Sequence, residues 1–219
     1  MATNSEEVKL LLDLFPLTYS EELGIDLKLK KESEIFKWFL ASILFGKRIS
    51  ETIAKNTYRE FEKEGLLTPE RIIDAGWDEL VRVLDNGGYV RYDFSTASTL
   101  LDIMKTLKEK YGSLKMLYKL SRNSGDLERR LQEFRKIGPV TVNIFLRELR
   151  AIWHKANPGI SEFVKLASKN LGIDLGKYDK RTEKFVHLES ALLRLGKNYC
   201  RKKKCEVCRL KQHCKKLRI

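Results

Sequence analysis

The stretch DLERRLQEFRKIGPVTVNIFLRELRAIW, residues 126–153, decides how the chain is read. Leu127, Leu131 and Phe134 share one face of a helix running from Asp126 to Phe134. Arg135-Lys136-Ile137-Gly138-Pro139 interrupts it, and the helical period resumes from Val140 to Trp153 with Ile144, Phe145, Leu149 and Ile152. Gly138 allows a tight backbone path, and Pro139 suits the first position of a new helix. Two readings are open. One is a plain αα-corner. The other is a corner whose second helix offers its free N–H groups to a phosphate, with Arg135 and Lys136 alongside.

Upstream, the pattern is helical as well. Ser33–Phe45 carries Ile35, Phe36, Phe39, Leu40, Ile43 and Leu44 at helical spacing. Ser50 reads as the N-cap of a helix to about Lys63, and Thr68-Pro69-Glu70 as a cap followed by proline at the first helical position. Gly76 separates that short helix from Trp77–Leu84, and Gly87-Gly88 precedes a further helix over Ser95–Lys110. No alternating strand pattern and no repeat of fixed period is visible, so the expected class is all-α.

The 219 residues carry 43 Lys and Arg against 30 Asp and Glu, a net charge of +13. Nine of those bases and a single acid, Glu206, lie in Cys200–Ile219, so the first 199 residues hold only +5. Such a focus suits a polyanion such as nucleic acid; a basic solubilising tail or a Lys/Glu-rich surface is the plainer alternative. The longest apolar stretch, Trp38–Gly46, is too short to span a bilayer. Met1–Glu7 lacks an export pattern, and the expected setting is cytoplasmic.

The same tail contains all four cysteines, Cys200, Cys205, Cys208 and Cys214, spaced C-x4-C-x2-C-x5-C. Clustered cysteines in an intracellular chain argue for a metal centre over disulfides. Only one C-x2-C knuckle is present, which favours an iron–sulfur cluster, with structural zinc as the alternative. Either would be an element of the fold, because so short and basic a loop cannot bury a core. His213 reads as a solvated side chain.

Taken together, these pieces resemble the helix-hairpin-helix (HhH-GPD) DNA glycosylases of the endonuclease III type. Phe134-Arg135-Lys136-Ile137-Gly138-Pro139-Val140-Thr141-Val142-Asn143 is similar to that family's L-P-G-V-G-R-K-T-A-N hairpin, and the cysteine loop to its C-x6-C-x2-C-x5-C motif. Leu40–Lys47, Leu84–Tyr89 and Leu166–Gly172 resemble further segments of the family, so the match covers residues from about 33 to 214. The resemblance implies two helical domains. Residues 1–40 with 155–219 would form one, carrying a [4Fe-4S] cluster loop at 199–215. Residues 41–154 would form a helical barrel ending in the hairpin at 126–153. It implies a nucleoid-associated monomer in base-excision repair that binds double-stranded DNA and flips the target base. The hairpin residues Arg135, Lys136, Ile137, Gly138 and Val140 would hold phosphates, and Arg201, Lys202, Lys203 and Lys204 would add backbone contacts. Lys47 and Arg48 fall where the family often places a gap-filling Gln; a phosphate or lesion contact and a solvated helix end are both open. Tyr89, Arg91, Tyr92 and Asp93 either wedge into the duplex or belong to the core.

Two departures bear on chemistry. The family's lysine nucleophile falls at Val140, so Schiff-base lyase chemistry is not available at that position. The family's catalytic aspartate falls at Ile160, and no Asp lies between Asp126 and Asp174. Glu162 is the nearest carboxylate, read either as the catalytic group of a purely hydrolytic N-glycosylase or as a helix-start glutamate favoured by the dipole. Lys136 replaces the first hairpin glycine. A non-catalytic DNA-binding paralogue is the alternative function.

Overall fold

The computed structural model describes residues 6–215, which are helical with no strand among them. Residues 1–5 and 216–219 lie outside the described residues, and with them most of the Met1–Glu7 segment and the terminal bases Lys216 and Arg218. Eleven α-helices follow in order among the described residues. They are α1 (Glu6–Leu14), α2 (Tyr19–Glu22), α3 (Glu32–Phe45), α4 (Glu51–Lys63), α5 (Pro69–Asn86), α6 (Asp93–Thr106), α7 (Leu114–Leu120), α8 (Ser124–Gln132), α9 (Pro139–Glu148), α10 (Glu162–Leu171) and α11 (Glu183–Leu195). Short π-helical turns, Leu107–Tyr111 and Gly196–Cys200, continue α6 and α11.

The starts of α4 and α5 follow the sequence signals. Ser50 Oγ accepts from the Ile53 N–H at 3.1 Å, and Thr68 Oγ1 from the Arg71 N–H at 3.2 Å, each satisfying a donor the helix leaves open. Gly76 breaks α5 with φ +73°. The second hairpin helix is shorter than its apolar period suggests. It ends at Glu148, with Leu149 as its C-cap, and Trp153 is held by a turn to the Leu149 carbonyl at 2.7 Å.

The chain divides into two compact units, Leu23–Pro158 and Met1–Glu22 with Gly159–Ile219. The boundaries at 22/23 and 158/159 differ from the expected 40/41 and 154/155. The reason is α3, which packs along its whole length on α4, α7 and α9. Ile35, Phe36, Trp38, Phe39, Leu40, Ile43 and Leu44 are all buried there, so residues 32–40 have their core in Leu23–Pro158. The Trp38 indole N–H donates to the Phe145 carbonyl at 3.0 Å, and the Phe39 ring meets those of Phe145 and Phe134 at 5.1 and 5.8 Å.

In the other unit α11 packs on α1 and α10. Phe185, Leu188, Ala191, Leu192 and Leu195 of α11 are buried, with Val8 and Leu11 of α1 and Val164, Ala167 and Leu171 of α10. Gly196 is required at the end of α11: a Cβ there would sit 2.1 Å from the Phe163 carbonyl oxygen. Among the described residues no helix is long and apolar enough to cross a membrane.

Candidate nucleic-acid interface and candidate metal centre

The hairpin is built from buried anchors around an open turn. Asp126, its side chain only 3% exposed, accepts from the Arg122 backbone N–H at 3.0 Å and from the guanidiniums of Arg129 and Arg130. Those bonds, the backbone one foremost, hold its carboxyl well below the usual carboxylate range. Phe134 and Ile137 are buried at either end of the turn, and the Ile137 N–H donates to the Phe134 carbonyl at 3.1 Å. Ile137 therefore anchors the turn from within: its side chain faces the core and its N–H is already bonded.

Between those anchors, Lys136 has φ +57°. A left-handed conformation costs a non-glycine residue about 1 kcal/mol or more, and Lys136 occupies the position of the first glycine in the quoted family motif. Gly138, by contrast, has φ −103° and ψ 179°, extended backbone any residue adopts, with open space around it. The position that needs conformational freedom is thus two residues before the one the sequence suggests.

Pro139 opens α9, and no side chain caps that end. The N–H groups of its first turn are left without a side-chain partner, and the positive end of the helix dipole points the same way. Val140, in this first turn, is 65% exposed. The end of α3 lies directly against it. A Cβ on Gly46 would fall 2.1 Å from Thr141 Oγ1, so only glycine permits this approach. That contact brings the next residue, Lys47, to the hairpin. Lys47 is half-buried, and burial first and the charge of Lys136 second push its ammonium below the usual lysine range. Arg48 is exposed beside it. Arg135 is exposed and ion-paired with Asp102, a partner no sequence signal announces. The structure therefore gathers Lys47, Lys136, Gly138 and Val140 at one helix start, with Arg48 and the paired Arg135 flanking.

The turn after α5 resolves the reading of its aromatics. Tyr89 is buried, and its hydroxyl donates to the Leu44 carbonyl at 2.8 Å, so it belongs to the core. Tyr92 is half-buried under Arg91, whose guanidinium lies 5.4 Å from the ring centroid. Asp93 accepts from the Phe94 N–H, and its proximity, after burial, raises the carboxyl of Asp85.

In the other unit, the four cysteines are free thiols, all half-buried, and line one pocket with Asn170, Tyr199, Lys203 and Lys211. The loop is folded by local turns: Lys203 N–H to Cys200 carbonyl at 3.2 Å, Lys204 N–H to Tyr199 carbonyl at 3.0 Å and Cys208 N–H to Cys205 carbonyl at 3.1 Å. Burial pushes the Cys200 and Cys208 thiols up, and the other thiols nearby add to the shift. Metal binding reverses that preference by holding thiolates. Among the described residues, no three or more His, Cys, Asp or Glu converge as the ligands of a single ion. His213 is half-buried and outside the pocket wall. Asn170 and Tyr199, which the spacing of cysteines does not reveal, are part of it. Arg201, Lys202, Lys203 and Lys204 are exposed, Arg201 lying 5.2 Å from the Phe163 ring centroid.

Glu162 is the first residue of α10, capped by Ser161, whose hydroxyl accepts from the Val164 N–H at 3.3 Å. Its side chain is 85% exposed and pairs with Lys165 at 2.7 Å. Ile160 is half-buried in the approach to this helix.

No protein-family model and no curated protein matches the sequence. Solved structures do. A non-covalent endonuclease III–DNA complex is similar at a TM-score of 0.56 and 17% identity, over 100% of this chain and 98% of that one. A trapped endonuclease III–DNA covalent intermediate, in its estranged-adenine complex, is similar at 0.51 and 16%, with the same coverage. The chain has the all-helical fold of endonuclease III.

Proposed function

We propose that the protein binds double-stranded DNA through the α8–α9 hairpin and serves base-excision repair, hydrolysing the N-glycosidic bond of a damaged or mismatched base without lysine-based lyase chemistry. The observation that carries this reading is the uncapped start of α9 with Lys47 and Lys136 beside it. Backbone N–H groups at a helix start, joined by two cations, form an anion site that matches a phosphodiester. Arg48 and the run Arg201–Lys204 supply further exposed positive charge for a backbone that rewards each neutralised phosphate.

Four free thiols lining one pocket suit a [4Fe-4S] cluster held by Cys200, Cys205, Cys208 and Cys214. Zinc held by the same four sulfurs is the alternative. Cys200, Cys205, Cys208 and Cys214 would hold the cluster, and their shared tie would fix the bases beside them.

For the chemistry, Glu162 is the carboxylate we assign to stabilise the oxocarbenium-like sugar and align a water; its pairing with Lys165 is exposed and weak enough to be exchanged for substrate. A second reading, DNA binding without chemistry, is favoured by the apolar side chains Val140 and Ile160 at both family positions. Duplexes carrying uracil, an oxidised pyrimidine, 8-oxoguanine or an alkylated purine separate the two. On one of them the wild type should release free base, and Glu162→Gln should be slower by about 100-fold or more. Turnover unaffected by Glu162→Gln removes the assignment of that residue. Tight, salt-sensitive binding with no base released from any duplex establishes the second reading, and absence of duplex binding overturns both.

A further inference from the structure

Among the described residues every aromatic side chain is buried or half-buried except two, Trp77 and Phe94, which are 39% and 59% exposed. They touch each other, with ring centroids 5.3 Å apart and 40° between the ring planes. The Trp77 indole N–H donates to Ser98 Oγ at 3.0 Å, and the Ser98 hydroxyl donates in turn to the Phe94 carbonyl at 3.0 Å. With the indole N–H satisfied, what the pair shows to solvent is apolar ring surface in a fixed orientation. The charge around it runs against that of the chain. Residues 74–94 hold five acids and two bases in a protein of net charge +13. Arg82 is taken up by Glu79 and Glu64, and Arg91 lies over Tyr92. Asp78 and Asp93 adjoin Trp77 and Phe94 in sequence, and among the described residues neither has an ion-pair partner. Nor has Asp85, whose carboxyl lies within hydrogen-bond reach of Asp93.

Aromatic surface beside unpaired carboxylates repels a phosphate backbone and attracts a cation that can also stack. A guanidinium does both: it is planar, stays charged, lies flat on an aromatic face and pairs with carboxylates through two parallel bonds. An ammonium supplies only the charge. We propose that the Trp77–Phe94 face docks a segment of another protein in which arginines alternate with apolar side chains. The arginines stack on the two rings and pair with Asp78, Asp85 and Asp93, and the apolar side chains cover the rest of the ring surface. Two aromatic side chains bury at most roughly 500 Å² between them. That is well below the area of a stable complex, so the contact is a transient one. The face lies wholly within Leu23–Pro158, and the inference stands apart from the duplex-binding reading. One unit would then meet two partners of opposite charge, an anion at the α9 start and a cationic segment on α5 and α6.

The probe is a short synthetic peptide of alternating Arg and Leu, labelled for fluorescence anisotropy and titrated with the full chain. Trp77 reports as well, because Trp38 and Trp153 are buried. Docking should move the tryptophan emission to shorter wavelength and shield it from acrylamide, and Trp77→Phe should remove that signal. Binding should saturate; a counterpart peptide with Lys for Arg should bind more weakly, and one with Glu for Arg should not bind. Trp77→Ala and Phe94→Ser, each in protein that still melts cooperatively, should weaken binding at least about 10-fold. Asp78→Asn should weaken it and make its salt dependence shallower. Absence of binding, equal binding of the Lys peptide, or affinity untouched by both Trp77→Ala and Phe94→Ser overturns the inference. Shielding of Trp77 by raised protein concentration alone puts a second copy on this face, and shielding by single-stranded or duplex DNA puts nucleic acid there; either result overturns it too. Trp77→Ala should leave duplex binding in a gel shift unchanged, and a loss of duplex binding would assign the face to the DNA interface instead. Failure of the wild type to bind duplex, with the peptide still bound, overturns only the duplex-binding reading.

Discussion

The α8–α9 hairpin and the cysteine loop are both short, basic turns, but they are held in opposite ways. The hairpin is supported from inside: Leu127, Leu131, Phe134, Ile137, Val142 and Phe145 are buried around it, and Asp126 ties its first helix to three arginines. The loop from Arg201 to Lys215 buries only Leu210, while Val207 is 69% exposed. Backbone turns shape it, and Leu210 is its single buried apolar side chain. One region presents its cations from a packed core; the other can present its cations in a fixed arrangement only if four thiols are tied together. Charge of one sign thus reaches the surface by two separate physical routes.

The sharpest way to break this contrast is to remove one tie from the loop. If the thiols hold the proposed cluster, Cys208→Ser should abolish bound iron and expose residues 201–215 to protease. A structural four-ligand metal site is worth on the order of 10 kcal/mol, and little else holds the loop. Iron analysis, the visible absorption of the protein and limited proteolysis read the result. A loop that stays protected without metal would refute the contrast. The matching change on the other side is Phe145→Ala, which opens a void between Phe39, Trp153 and Trp38. It should cost about 3–5 kcal/mol in urea unfolding and leave the iron content of the folded protein unchanged. A cost below 1 kcal/mol would mean that the hairpin is not supported by this core.

How much of each region could be read from the chain follows the same division. The hairpin's helices were legible because burial imposes a period on Leu127, Leu131, Phe134, Ile144 and Phe145. The α4 and α5 caps were legible because Ser50 and Thr68 act within four residues. The early end of α9 was not, since Leu149 and Trp153 are apolar for reasons of packing in a turn and continue the helical period by coincidence. The unit boundary was misplaced for a related reason: the apolar face of α3 shows that the helix is buried and does not say against what. In the loop, cysteine spacing identified the thiols, whereas Asn170 and Tyr199 join their pocket from distant positions. Likewise no local pattern connects Gly46 with Thr141, Arg135 with Asp102, or Lys47 with Lys136.

The smallest effect probes the turn itself. Lys136 holds φ +57° where a glycine would sit without strain. Glycine also loses more chain entropy on folding, which offsets part of the relief. Lys136→Gly should therefore stabilise the protein by a net of about 0.5–1 kcal/mol, seen as a higher urea midpoint with an unchanged slope. The same change deletes a cation beside the α9 start, so duplex affinity should fall and its salt dependence become shallower by about one charge. Stability and binding moving in opposite directions would show that this lysine is kept at a strained position for its charge. If Lys136→Gly lowers stability, the left-handed turn is not where the hairpin carries strain; if it leaves the salt slope untouched, the hairpin's cation does not meet a phosphate.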